Sequence, residues 1–296
     1  MMTGPHGRQR RRGRVGSSSD KGEPSTAEPE SQAIPQEGAR DPLFISSLAK
    51  GLNVMLCFGG GWEALGLRDI AQRTGLSTGA AQRITHTLTQ LGYLRKDERT
   101  RRYRPSPRML EFTYQFLRAS PLYEVAIPVV IGLRDETQET VNVSLLDQTD
   151  AVVLIRMPSQ RRINPSSVIG RRIPACVVST GRAILSRLAP EEARAIIDAS
   201  GLAQLTPRTE TDPGTLAALV AQAREDGFAM VEEQSVLGEL SIAAPVVDAS
   251  NRPIAALGIT TSTAYWTPEA MREKLAPLVM RAATTVSRSL QGWKEF

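Results

Sequence analysis

The chain has 296 residues, 41% of them hydrophobic and 23% charged, with a formal net charge of +5. That length suits two ordinary domains with buried cores. No apolar run nears the roughly 18 to 20 residues of a membrane-spanning helix, and the Arg-, Ser- and Pro-rich start is unlike a secretory signal. Only Cys57 and Cys176 are present, too few for a disulfide scaffold, so a reducing cytoplasm is the expected compartment. His6 and His86 are the only histidines, which leaves the rest of the chain without histidine acid–base chemistry or a His-ligated metal. No metal site and no cofactor motif is read.

Residues 1–41 carry 7 basic and 6 acidic side chains and almost no branched apolar ones, a disordered tail by composition. Its Arg8, Arg10, Arg11, Arg12 and Arg14 suit phosphates, although a solvated tail explains them as well. Residues 42–119 hold 12 basic and 5 acidic groups, and residues 120–296 hold 17 and 20. A segment at +7 ahead of a body at −3 points to one module that meets a polyanion and a second that does something else.

Helical spacing begins near Ser46, with Leu48, Leu52, Met55 and Leu56 as its apolar face. Gly59-Gly60-Gly61 breaks it. Leu67, Ile70 and Ala71 begin a short helix ended by Gly75, and Ser77 caps a third with Ala81, Ile84, Leu88 and Leu91. Tyr93–Lys96 and Arg101–Arg104 read as a polar hairpin, and Met109–Leu117 as a linker helix. Small Ala71, Gly75 with its access to left-handed backbone, and buried Ile70, Leu76, Ala81 and Ile84 are the grammar of a helix-turn-helix. The basic hairpin makes it winged. Its second helix is the one that enters a major groove. The candidate DNA-contacting residues are therefore Arg68, Ser77, Thr78, Gly79, Gln82, Arg83, Lys96, Arg99, Arg101 and Arg102. Gln82 suits an adenine edge and Arg83 a guanine or a phosphate, while the wing cations hold backbone. His86 is set aside as an ordinary histidine. A small helical bundle with an incidental charge excess is the plainer alternative.

Beyond Pro121 the pattern mixes helix and strand. Leu122–Thr137 is an amphipathic helix, and Thr140–Leu146 and Ala151–Met157 are strands. Val178–Leu188, Pro190–Ala199 and Gly214–Glu225 are helices. Phe228–Val231, Ile242–Val247 and Ile254–Thr260 are strands, and a long last helix opens at Thr267-Pro268.

From about Phe44 to Leu290 the chain resembles the IclR family of bacterial transcriptional regulators. The resemblance is carried by Leu67-Arg68-Asp69-Ile70-Ala71-Gln72-Arg73-Thr74-Gly75-Leu76, Leu91-Gly92-Tyr93-Leu94, Gly170-Arg171-Arg172-Ile173-Pro174, Ser179-Thr180-Gly181-Arg182-Ala183-Ile184-Leu185 and Ala243-Ala244-Pro245-Val246. Phe44–Leu52 is similar to members that govern aromatic-acid catabolism. The resemblance implies an α+β chain with a winged helix-turn-helix at 42–106, a linker helix at 107–119 and a GAF-like α/β effector-binding domain at 120–296. It also implies a double-stranded DNA operator, a homodimer or homotetramer, and no enzyme activity. Matching the family's ligand-lining positions gives Ile173, Ser179, Thr180, Val231, Ser241, Gly258 and Thr260. The hydroxyls of Ser179, Thr180, Ser241 and Thr260 beside a helix start suit a small organic acid, and Val231 leaves room for a ring. Arg156, Arg161 and Arg162 are possible charge partners, with a solvated role expected for each. An enzyme fused to a DNA-binding module is the rival, and an architectural DNA-binding dimer without a ligand is another. Cys176 near Ser179 is read as an inert buried thiol, because no histidine lies in this domain to serve as base and Cys176 sits in the apolar run Ala175–Val178.

Overall fold

The computed structural model describes residues 1, 41–59, 64–159 and 168–291. The expected tail with its five arginines, Gly60, Gly61, Arg161, Arg162 and residues 292–296 lie outside the described residues.

The first part is built from α1 (Ser46–Leu56), α2 (Leu67–Thr74), α3 (Thr78–Gln90) and a two-stranded ribbon, β1 (Leu94–Lys96) and β2 (Tyr103–Pro105). Val54, Leu65, Ile70, Ala71, Ala81, Leu88, Leu94 and Tyr103 form its core. One expectation is reversed here. Helix α1 buries Asn53 and Val54, whereas Leu48, Leu52 and Leu56 stand 60%, 38% and 42% exposed. Apolar periodicity marks a face that avoids water but does not say which body covers it. Leu91, expected in the α3 stripe, is the helix C-cap and half exposed; Thr85 is buried instead, its hydroxyl donating to the Ala81 carbonyl at 2.8 Å.

A 3-10 turn at Pro107–Met109 leads into α4 (Leu110–Ala119), none of whose residues is buried. Tyr93 stacks on Phe112 with ring centroids 5.5 Å apart, and the Arg108 guanidinium lies over the Tyr93 ring, which ties α4 to the wing. At Ser120 the chain turns by 86° into α5 (Pro121–Thr137). The Ser120 hydroxyl accepts from Tyr123 N, and Pro121 starts the new helix where its missing N–H costs nothing.

The second part is a six-stranded sheet, antiparallel throughout, in the order β5-β4-β3-β8-β7-β6. Its strands are β3 (Thr140–Asp147), β4 (Asp150–Met157), β5 (Arg172–Pro174), β6 (Ala229–Glu232), β7 (Glu239–Val247) and β8 (Pro253–Ser262). Period-2 alternation splits its side chains between two layers. Val141, Val143, Ile155, Ile242, Leu257 and Ile259 pack against Leu122, Ala126, Val130 and Leu133 of α5 and against α10 (Ala276–Ser289). The other face carries α6 (Ser179–Leu185), α7 (Pro190–Ala199) and α8 (Pro213–Asp226).

The expected single C-terminal helix is two, α9 (Pro268–Lys274) and α10, broken at Leu275 just ahead of Pro277. Thr267 caps α9 as expected, accepting from Ala270 N. Among the described residues, no single helix is long and apolar enough to cross a membrane.

Candidate DNA interface and ligand site

The α2–α3 corner is set by local chemistry. Gly75 takes φ +65°, the left-handed region that a β-carbon disfavours. Leu76 N donates back to Ala71 O at 3.0 Å, and Ser77 Oγ accepts from Ala80 N at 3.3 Å. With Ala81, Thr85 and Leu88 facing the core, the opposite side of α3 is polar and exposed: Ser77, Thr78, Gly79, Gln82 and Arg83 all lie in solvent. Exposed His86 stands on that same side, one turn beyond Gln82 and Arg83, although its sequence context had set it aside. Arg68 is exposed at the start of α2.

The wing is closed by Asp97, whose carboxylate accepts from Arg99 N at 2.8 Å and Thr100 N at 3.1 Å; those bonds hold it below the usual aspartate range. Its cations are not equivalent. Lys96 and Arg101 lie 3.6 and 3.2 Å from Glu98. Arg102 donates to Ala64 O at 2.6 Å and sits 3.8 Å from Asp69, so it braces the ribbon against the body as well as adding charge. The side chain of Arg99 is exposed. Two further arginines belong with these. Arg95 and Arg104 are directly paired across the ribbon, and both are exposed. Like charges placed opposite one another destabilise a ribbon in isolation and are relieved by a facing polyanion. The basic hairpin was visible in sequence, but this pair emerges only from the register.

Across the sheet, Thr140, Thr260, Ser241 and Val231 form one row, and Arg156, Asn142, Gly258 and Ala243 the next. Both rows face away from the α5–α10 layer. Asn142 Nδ2 donates to Thr260 Oγ1 at 3.2 Å, while Asn142 Oδ1 is buried and has no partner among the described residues. Helix α6 crosses above Gly258: a β-carbon there would lie 2.9 Å from Thr180 Cγ2 and 3.1 Å from Asn142 Oδ1. Thus Thr180, Gly258, Thr260, Ser241 and Val231 come together, with Ser179 beside them at the start of α6. Ser179, Thr180 and Val231 are buried; Ser241 and Thr260 are half-buried. Ile173 is separate, on the opposite edge strand, where it packs with Ala151 and Cys176.

Arg156 departs from its expected solvated role. It is half-buried beside Asn142, and burial pushes its guanidinium down from the usual arginine range, with Glu239 opposing that effect. Asn142 was not singled out from sequence; its signal is the alternation Thr140, Asn142, Ser144 against Val141 and Val143.

Arg182 is 2% exposed. Its Nε donates to Cys176 O at 2.6 Å and its Nη2 to Gln234 Oε1 at 2.7 Å, and burial lowers it to about 10. It thereby ties α6 to the segment between β6 and β7. Gly181, beside it, is where α6 touches the preceding turn, since a β-carbon would meet Ala175 O at 2.1 Å. Cys176 is fully buried and burial raises its thiol, the inert state expected of it.

Residues 47–98 match the IclR helix-turn-helix domain, and residues 114–288 match the C-terminal domain of bacterial IclR transcriptional regulators. The chain belongs to the IclR family. This regulator is a DNA-binding protein of transcription and not an enzyme. It is 31% identical over 253 residues to a Pca regulon regulatory protein of Pseudomonas putida, covering 85% of this chain and 86% of that one. It is 33% identical over 252 residues to a p-hydroxybenzoate hydroxylase transcriptional activator of Acinetobacter baylyi, covering 83% and 92%. A solved transcriptional regulator of Rhodococcus sp. RHA1 superposes with a TM-score of 0.73 at 33% identity, covering 83% and 98%. The inducer-binding domain of an Acinetobacter PobR transcription factor, a double mutant in complex with 3-hydroxybenzoic acid, superposes with a TM-score of 0.51 at 30% identity, covering 55% and 96%.

Proposed function

We propose that this IclR-family protein is a cytoplasmic, ligand-controlled regulator whose effector is a small aromatic carboxylate. On this reading residues 42–106 bind DNA, 107–119 link, and 120–296 form a GAF-like sensor. Helix α3 enters the major groove with Gln82 and Arg83 toward base edges, while the wing holds phosphates. The observation that carries the effector reading is Arg156: a half-buried guanidinium in the row of Asn142 and Gly258, next to Thr260 and Ser241, whose burial outweighs the opposing charge of Glu239. A ligand carboxylate adds counter-charge to this half-buried guanidinium, with Ser179, Thr180 and Ser241 as hydroxyl partners. Buried Asn142 Oδ1 is an acceptor that a ring hydroxyl would satisfy. The hydroxybenzoate and Pca regulators among its relatives support the same class.

The test is calorimetry of the full-length protein with benzoate, 4-hydroxybenzoate, 3-hydroxybenzoate, phthalate and a β-ketoacid. Binding in the micromolar to millimolar range is expected. Hydroxylated rings should outbind benzoate, and Arg156→Gln should abolish binding. At about a hundred times its dissociation constant, the ligand should add about 2.7 kcal/mol of stability. A series in which none binds would sink the aromatic-acid reading and leave the family standing.

A winged module reads few base pairs, so the operator complex needs at least two copies in register. The exposed apolar side chains of α1 and of α4, Phe112 and Phe116 among them, are the surfaces assigned to a homodimer or homotetramer.

A further inference from the structure

We propose that the cleft between the β7–β8 turn and the C-terminal half of α10 is a second ligand site, built for a small organic dianion. The cleft holds about 250 Å³ and is lined by Arg187, Ala244, Asn251, Met280, Arg288 and Gln291, among others. It lies away from the Arg156–Asn142 cluster, and its lining shares no residue with it.

Arg187 follows the end of α6, and Arg288 stands in the last turn of α10. A cation beside the carbonyl end of a helix is favourable, which accounts for placing arginines there. It does not account for sinking one of them. Arg187 Nε is buried and has no hydrogen-bond acceptor among the described residues. Among the described residues no carboxylate lines the cleft, and the nearby Asp248 is committed to Ser250 and Arg252 within its own turn. Arg134 Nε is in the same state, so the demand for an anion rests on the cleft itself, where two guanidiniums share a lining without a carboxylate among the described residues.

The remaining lining defines the ligand. Two guanidiniums call for two negative charges, presented as carboxylate or phosphate oxygens that the planar fork can meet. Asn251 and Gln291 add amide donors at the rim. The Thr284 hydroxyl already donates to Met280 O, and Ser287 Oγ donates to Ala283 O while accepting from Val247 N, so neither hydroxyl is a free donor for the ligand. Met280, Ala244 and Pro245 give the cleft an apolar wall, which favours an organic body over a bare inorganic ion.

The experiment is calorimetry of the full-length protein with phenyl phosphate and glutarate as dianionic probes, and phenol as a neutral control. Saturable millimolar binding of either dianion and none of phenol is expected. Arg288→Gln, at an exposed position, should weaken it about tenfold through loss of one charge-assisted contact. Arg187→Gln with Arg288→Gln should abolish it, while Arg156→Gln should leave it unchanged. Lack of binding by both dianions overturns the proposal. So does binding that survives the double variant, or binding that disappears with Arg156→Gln. Because Arg156→Gln is the variant that tests the aromatic-acid site, failure of one site is distinguishable from failure of the other.

Discussion

Gly258 sits beneath Thr180 and Asn142 with no room for one more carbon. Gly258→Ala should therefore cost about 1–3 kcal/mol by overpacking. Thr180→Ser in the same background should recover part of that, because it removes the methyl 2.9 Å away. Urea denaturation of the four proteins of this cycle checks the coupling; independent, additive effects would mean that α6 does not press on β8 there. The residue scale is also where sequence was most and least informative. Gly75, Ser77 and Thr267 were legible because each answers a local backbone demand that only a few residue types meet. Arg156 and Asn142 were not. A lone arginine in a β-rich run reads the same whether it faces water or a pocket, and only the register with β3 and β8 decides it.

At the scale of elements, α3 and the wing divide the work of binding DNA on the proposed reading. Gln82→Ala and Arg83→Ala should each cost about 1–3 kcal/mol on the operator and relax preference at one or two base positions. Lys96→Ala and Arg99→Ala should weaken all sequences alike and flatten the salt dependence by about one counterion each. Arg102→Ala should do the same and also lower the melting temperature, because it removes the bond to Ala64 O. Binding titrations from low to high salt separate these classes; parental behaviour in every variant would mean that another surface meets DNA. Helix and strand periods located these elements well. Their ends and surroundings were harder, as with the terminal helix that breaks at Leu275 and the α1 stripe that faces outward. Period reports amphipathicity, while the partner of the apolar face is a tertiary fact.

For the whole molecule, apolar surface that the single chain leaves uncovered predicts assembly. Leu48, Leu52, Phe112 and Phe116 are 38% to 60% exposed, more than solvated helices usually carry together. Leu52→Glu with Phe116→Glu should shift the protein to monomer in sedimentation at micromolar concentration and lower operator affinity, while ligand binding persists. A variant that sediments like the parent would place the interface elsewhere. The right-angled corner at Ser120 carries a further consequence. Ten residues of α4 extend about 15 Å from that corner, so a rotation of roughly 10° about the backbone of Ser120 sweeps the far end of the helix by about 3 Å. The corner gears a small torsional adjustment beside the sheet into a displacement comparable to the rise between adjacent base pairs. In the proposed assembly of two copies, spacing between the reading heads would thus be adjustable without any strand or core helix having to be remade.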